Sequence, residues 1–126
     1  MPDLATYEDV AAVVRTQYDL LLASTQTAPH FAGVDLDHHL PRVFTFWAFT
    51  LGLGDASYRG SVFEPHARLK LAEADYVVWQ DALKTALEQN GFSGPVCDSM
   101  IAKARMMEFI FKSKMPLAGE NTAPAG

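Results

Sequence analysis

The stretch RVFTFWAFTLGLGDASYRGSVFEPH, residues 42–66, decides how this chain is read. Residues 42–52 set Val43, Phe44, Phe46, Trp47, Phe49 and Leu51 around nearly the whole circumference of a helix. A helix of that kind has to be covered on more than one side, by two core faces or by a core and a cofactor. Pro41 lacks a backbone N–H and disfavours helical geometry at Leu40, so the helix is expected to begin near Pro41 and to leave His38 and His39 on a looser lead-in. A glycine-rich link, residues 52–60, follows. Ser61 and Glu64 then have the S-x-x-E spacing of a capping box, which predicts a short helix carrying His66.

Outward from this stretch the periodicity is helical throughout. In residues 6–24, Val10, Val13, Val14, Tyr18, Leu21 and Leu22 follow three-four spacing, with Thr6 as the N-cap and Tyr18 facing inward. Residues 25–37, with Pro29 and Gly33, read as a loop holding one short helical turn in which Phe31 is a packed anchor. Tyr76, Trp79, Leu83, Ala86 and Leu87 form the inner stripe of a helix over 73–90 that Gly91 stops. A last helix over 95–115 turns Cys97, Met100, Ile101, Ala104, Met107 and Phe111 inward, with Lys112 and Lys114 at its negative dipole end. There is no internal repeat and no strand signal. The fold class is all-α, with one domain over 1–115 and a flexible tail over 116–126 that has little to bury.

Composition narrows the function. With 126 residues, 49% hydrophobic and 20% charged, the chain suits one compact domain rather than a disordered one. A net charge of −5 offers no pull toward nucleic acid or anionic membrane. The single Cys97 can form neither an internal disulfide nor a multi-cysteine zinc site, which points to a reducing compartment. The N-terminal residues are acidic where a leader would be basic, and no apolar run reaches the length that spans a bilayer, so the chain is expected to be cytoplasmic.

One imidazole, His66, stands in sequence among Tyr18, Phe31, His39, Phe46, Trp47, Tyr58 and Trp79. Many large apolar residues with one nitrogen ligand and a few donors suit a flat apolar cofactor whose metal needs a single axial ligand, and haem is the obvious candidate. Taken alone, His66 reads as a surface histidine on a short helix, and the aromatic residues as ordinary core.

Taken in order, the residues resemble the truncated haemoglobins, and among them the third group most. Gln17-Tyr18 is similar to the family's Phe-Tyr pair, and Ala28-Pro29-His30-Phe31 to its Gly-Pro-aliphatic-Phe turn. His39 with Phe46-Trp47 resembles its His and Phe-Trp helix, Tyr58-Arg59-Gly60 with His66 its Tyr-x-Gly and proximal histidine, and Tyr76-Val77-Val78-Trp79 its aromatic-x-x-Trp. The departures are Gln17 in place of an aromatic, His30 in place of an aliphatic, Leu36 in place of a tryptophan, and Pro41 two residues after His39.

The resemblance implies a two-on-two helical sandwich around one haem b. It implies that His66 is the axial metal ligand, that Tyr18 and Trp79 are distal donors to a bound ligand, and that His39 lies over the metal or swings outward as a gate. Phe31, Val43, Phe46 and Trp47 would wall the haem. Arg42 and Tyr58, and by charge Arg68, would hold its propionates. The expected function is reversible binding of dioxygen and similar ligands such as nitric oxide or carbon monoxide, with oxygen held rather than delivered. A haem redox enzyme of peroxidase-like or nitric-oxide-consuming type is a second reading, and it needs a separate reductase. A haem-free helical interaction module is a third. Neither nucleic acid nor membrane is expected as a partner, and the oligomeric state is left open.

Overall fold

The computed structural model describes residues 1–54, 57–58, 69–115 and 117. The expected short helix with His66, together with Arg68 and nearly all of the tail over 116–126, lies outside the described residues. Within them every regular element is helical: α1 (Tyr7–Ala23), a 3₁₀ turn (Ala28–Phe31), α2 (Leu36–Thr50), α3 (Glu73–Gln89) and α4 (Pro95–Lys114).

The first helix starts where Thr6 and Asp9 satisfy each other's backbone. Thr6 Oγ1 accepts the Asp9 N–H at 3.1 Å, and the Asp9 carboxylate accepts the Thr6 N–H at 3.1 Å. Such a reciprocal cap is worth about 1 kcal/mol. Its buried face carries Val10, Val13, Val14, Gln17, Tyr18 and Leu21. Leu22, expected inward, is 39% exposed, because Leu21 already occupies the stripe and the next residue is rotated about 100° away.

The second helix corrects the expectation drawn from Pro41. It begins at Leu36, where Asp35 accepts the backbone N–H of His38 through its carboxylate at 3.4 Å and that of His39 through its carbonyl at 2.9 Å. His38 and His39 are therefore helical residues, not a lead-in. Proline is tolerated inside the helix because the carbonyl it leaves unbonded, that of Asp37, belongs to an exposed residue that water can serve. Phe44, Trp47 and Ala48 are buried, while Phe49 is 50% exposed, so α2 is covered on two sides rather than all round.

The remaining helices have clean ends. Gly91, at φ +76°, lets the chain turn back so that its N–H reaches the Glu88 carbonyl and the Phe92 N–H the Leu87 carbonyl, both at 3.0 Å. The N-terminus of α4 is capped from the far end of the sequence. Asp3 accepts the N–H groups of Val96 at 2.8 Å and Cys97 at 3.0 Å, and the Pro2 carbonyl accepts the Ser93 N–H at 2.9 Å. Burial works against the Asp3 charge, but these bonds outweigh it and hold the carboxyl below its usual range.

α1 is the hub, lying against α2, α3 and the 3₁₀ turn, while α4 packs on α3. Val10, Val13, Val14, Leu83 and Met100 are sealed at its centre. Tyr7 meets Phe44 edge-on at 6.2 Å and the Arg15 guanidinium covers the same ring at 4.9 Å. Cys97 belongs to this core, and burial pushes its thiol up to about 11, so it stays protonated and unreactive at neutral pH. Among the described residues no helix is long and apolar enough to cross a membrane.

Gly94 sits at φ +133°, and a Cβ there would lie 2.7 Å from the Asp3 carboxyl carbon. Gly94→Ala is therefore expected to lower stability by about 1–3 kcal/mol in urea denaturation, whereas Ser93→Ala next to it should change it by less than about 0.5 kcal/mol.

Candidate functional site

The helices enclose a cavity of about 560 Å³, within the usual range of about 300–1,000 Å³ for sites that take a small molecule or cofactor. α2 supplies one wall through His39, Arg42, Val43, Phe46 and Trp47. Their spacing of three, four, seven and eight residues is that of one helical face, and it exists only because α2 begins ahead of His39. Gln17, Tyr18 and Leu21 of α1 face into the cavity, with His30 and Phe31 of the 3₁₀ turn, Asp75, Tyr76 and Trp79 of α3, and Met107, Glu108 and Phe111 of α4. Tyr58, Leu69 and Leu71 complete it from the segment between α2 and α3.

All the described residues singled out from sequence come together here: Tyr18, Phe31, His39, Arg42, Val43, Phe46, Trp47, Tyr58 and Trp79 line this one cavity. His66 and Arg68 lie outside the described residues. The aromatic groups form two clusters of edge contacts. Phe31 meets Tyr18 at 5.4 Å, and Phe46 meets both Trp47 at 5.4 Å and Tyr58 at 5.3 Å. Such contacts fix ring orientation as well as burying apolar area.

The phenol of Tyr18 is the best-defined polar group in the wall. Burial pushes its pKa up to about 12, so it keeps its proton across the physiological range. Its hydroxyl lies 3.1 Å from His39 Nε2. Which group donates depends on the imidazole tautomer: with the proton on Nε2, Tyr18 accepts and its own O–H is left to point at a ligand. Trp79 brings an indole N–H that meets no acceptor among the described residues.

Sequence reasoning missed a second polar assembly. Asp75 is buried on the cavity wall, and its carboxylate accepts the Ala72 N–H at 2.7 Å and the Gln26 side-chain N–H at 2.9 Å, and pairs with His30 Nε2 at 3.1 Å. Burial disfavours its charge, but the bonds from Gln26, Ala72 and His30, with the field of His30, outweigh that and lower its pKa. The assembly ties the 3₁₀ turn, and with it Phe31, to the start of α3. Asp75 read from sequence is one more acidic residue in a first helical turn, and only the fold brings His30 to it.

No protein-family model matches the chain, and no curated protein matches it in sequence. Solved structures do match. The truncated hemoglobin from Tetrahymena pyriformis in its Fe(III) form superposes with a TM-score of 0.67 at 23% identity, covering 89% of this chain and 97% of that one. The truncated oxygen-avid haemoglobin from Bacillus subtilis gives 0.73 at 16% identity, covering 83% of this chain and 92% of the other. The group II truncated hemoglobin from Bacillus anthracis gives 0.75 at 13% identity, covering 92% and 89%. The chain has the truncated-haemoglobin fold.

The lowered carboxyl of Asp75 has a defined pH signature. Its stabilising contribution is complete above the unfolded carboxylate value of about 3.9 and is lost as pH falls through the lower folded value. Asp75→Asn should therefore cost about 1–3 kcal/mol at pH 7, with the gap to wild type closing in acid unfolding curves below about pH 4.

Proposed function

We propose that the protein is a haem-binding globin that reversibly takes dioxygen and related diatomic ligands. The observation that supports this most is the cavity: about 560 Å³ with largely apolar walls, in a truncated-haemoglobin fold, with the Tyr18 hydroxyl and the Trp79 indole on its surface. Haem b, when bound, would supply a metal held by a protein imidazole and able to take small ligands.

The rest falls to the chain's own side chains. His66 is the residue assigned to hold the metal. Phe31, Val43, Phe46 and Trp47 cover the apolar ring and exclude water. Arg42 and Tyr58, with Arg68, are assigned to the carboxylates at its edge through charge-assisted and neutral hydrogen bonds. Tyr18, held protonated by burial, and Trp79 offer O–H and N–H donors to the electron-rich end of a ligand. His39, bonded to Tyr18, sets through its tautomer whether the Tyr18 O–H is turned toward a ligand. The third-group pattern of Tyr18, Trp79 and His39 and a cytoplasmic location belong to the same proposal.

The test is the absorption spectrum of the purified protein with haemin, ferric and then ferrous, for wild type and His66→Ala. Wild type should show sharp histidine-ligated spectra that the variant loses; an intact helical protein that takes up no haem removes the proposal. In the haem-loaded protein Tyr18→Phe and Trp79→Phe should each speed oxygen release by about tenfold, the equivalent of one charge-assisted hydrogen bond. Stopped-flow rates unchanged by both would show that neither residue is a distal donor.

A further inference from the structure

One polar side chain on the cavity wall takes no part in this scheme. Gln17 is only 1% exposed, faces the cavity, and gives its amide N–H to the Trp79 backbone carbonyl at 3.4 Å. Among the described residues no donor reaches its Oε1. The side-chain oxygen of Gln80 is also unpartnered, but it is shut in among packed atoms. Gln17 instead presents its amide to a space sized for a ligand. An amide oxygen that opens on a cavity without a protein donor is matched by a ligand that brings one.

We propose that Gln17 determines specificity: its Oε1 accepts a hydrogen bond from the ligand, so that among small ligands the cavity favours those carrying an O–H or N–H. The inference rests on the haem-binding reading above. A bare diatomic has only lone pairs, so it can use the Trp79 N–H and the Tyr18 O–H but leaves the Gln17 oxygen unmatched. A protic ligand uses both kinds of group, accepting from Trp79 or Tyr18 and donating to Gln17. Discrimination by a buried polar group left unpaired exceeds what an apolar wall can achieve by shape.

The experiment compares imidazole, which keeps an N–H when it binds a metal, with azide, which has none. Dissociation constants for the ferric haem-loaded protein are read from the Soret band for wild type, Gln17→Leu and Gln17→Met. Both variants should weaken imidazole by about tenfold and shift azide less than about twofold. Equal losses for the two probes would mean that Gln17 only holds Trp79 in place, and no loss for either would mean that its oxygen meets no ligand; each result overturns the proposal. Failure of wild type to take up haem overturns the haem reading and this inference together, whereas normal haem spectra with unselective losses overturn this inference alone.

Discussion

Asp35 sets the register of α2 by accepting backbone N–H groups from His38 and His39, and the cavity depends on that register. Had the helix begun at Pro41, His39 would stand off the face that carries Val43, Phe46 and Trp47. With the cap where it is, His39, Arg42, Val43, Phe46 and Trp47 point the same way. The opposite face of the same helix gives Phe44 to the core beside Tyr7 and Arg15. A single helix is thus both core and cavity wall, which is why its sequence is apolar over so much of its circumference.

The opposing wall is held by polar bonds rather than by apolar packing alone. The 3₁₀ turn is too short to have a stable face of its own. It is secured by Thr27, whose hydroxyl donates to the Leu21 carbonyl at 2.6 Å, and by the convergence of Gln26 and His30 on Asp75. Each of these groups is costly to bury alone and inexpensive once paired. The consequence is a rigid Phe31, edge-on to Tyr18, and therefore a Tyr18 phenol with a fixed bearing toward His39.

Much of this was legible in the sequence. Thr6, Gly91 and Pro95 mark helix ends by local chemistry, and the three-four spacing of Val10 to Leu21 gives the hub helix directly. The aromatic and histidine positions that gather round the cavity were legible only as an ordered set, since no one of them differs from an ordinary core residue. Pro41 misled because the penalty for proline inside a helix is an average, and here the carbonyl left unbonded belongs to an exposed residue one turn earlier. Gln17, His30 and Asp75 were illegible as partners because their bonds join residues that only the packing of α1 and the 3₁₀ turn against α3 brings together. Asp3 was equally hidden: a helix cap is sought among the few residues before the helix, not 93 positions away.

That distant cap has a consequence for the order in which the molecule assembles. Closing a loop of that length is entropically unfavourable until the intervening helices have docked. The contact between Asp3 and the first turn of α4 is therefore a late event in folding and an early one in opening. Its amides at Val96 and Cys97 should exchange with solvent through fluctuations of the first few residues alone, while the rest of α4 stays shut. A trim or a bulky fusion at residues 1–3 would thus be felt at the other end of the sequence, as fraying of the start of the last helix, with the packing of α1 on α2 left intact.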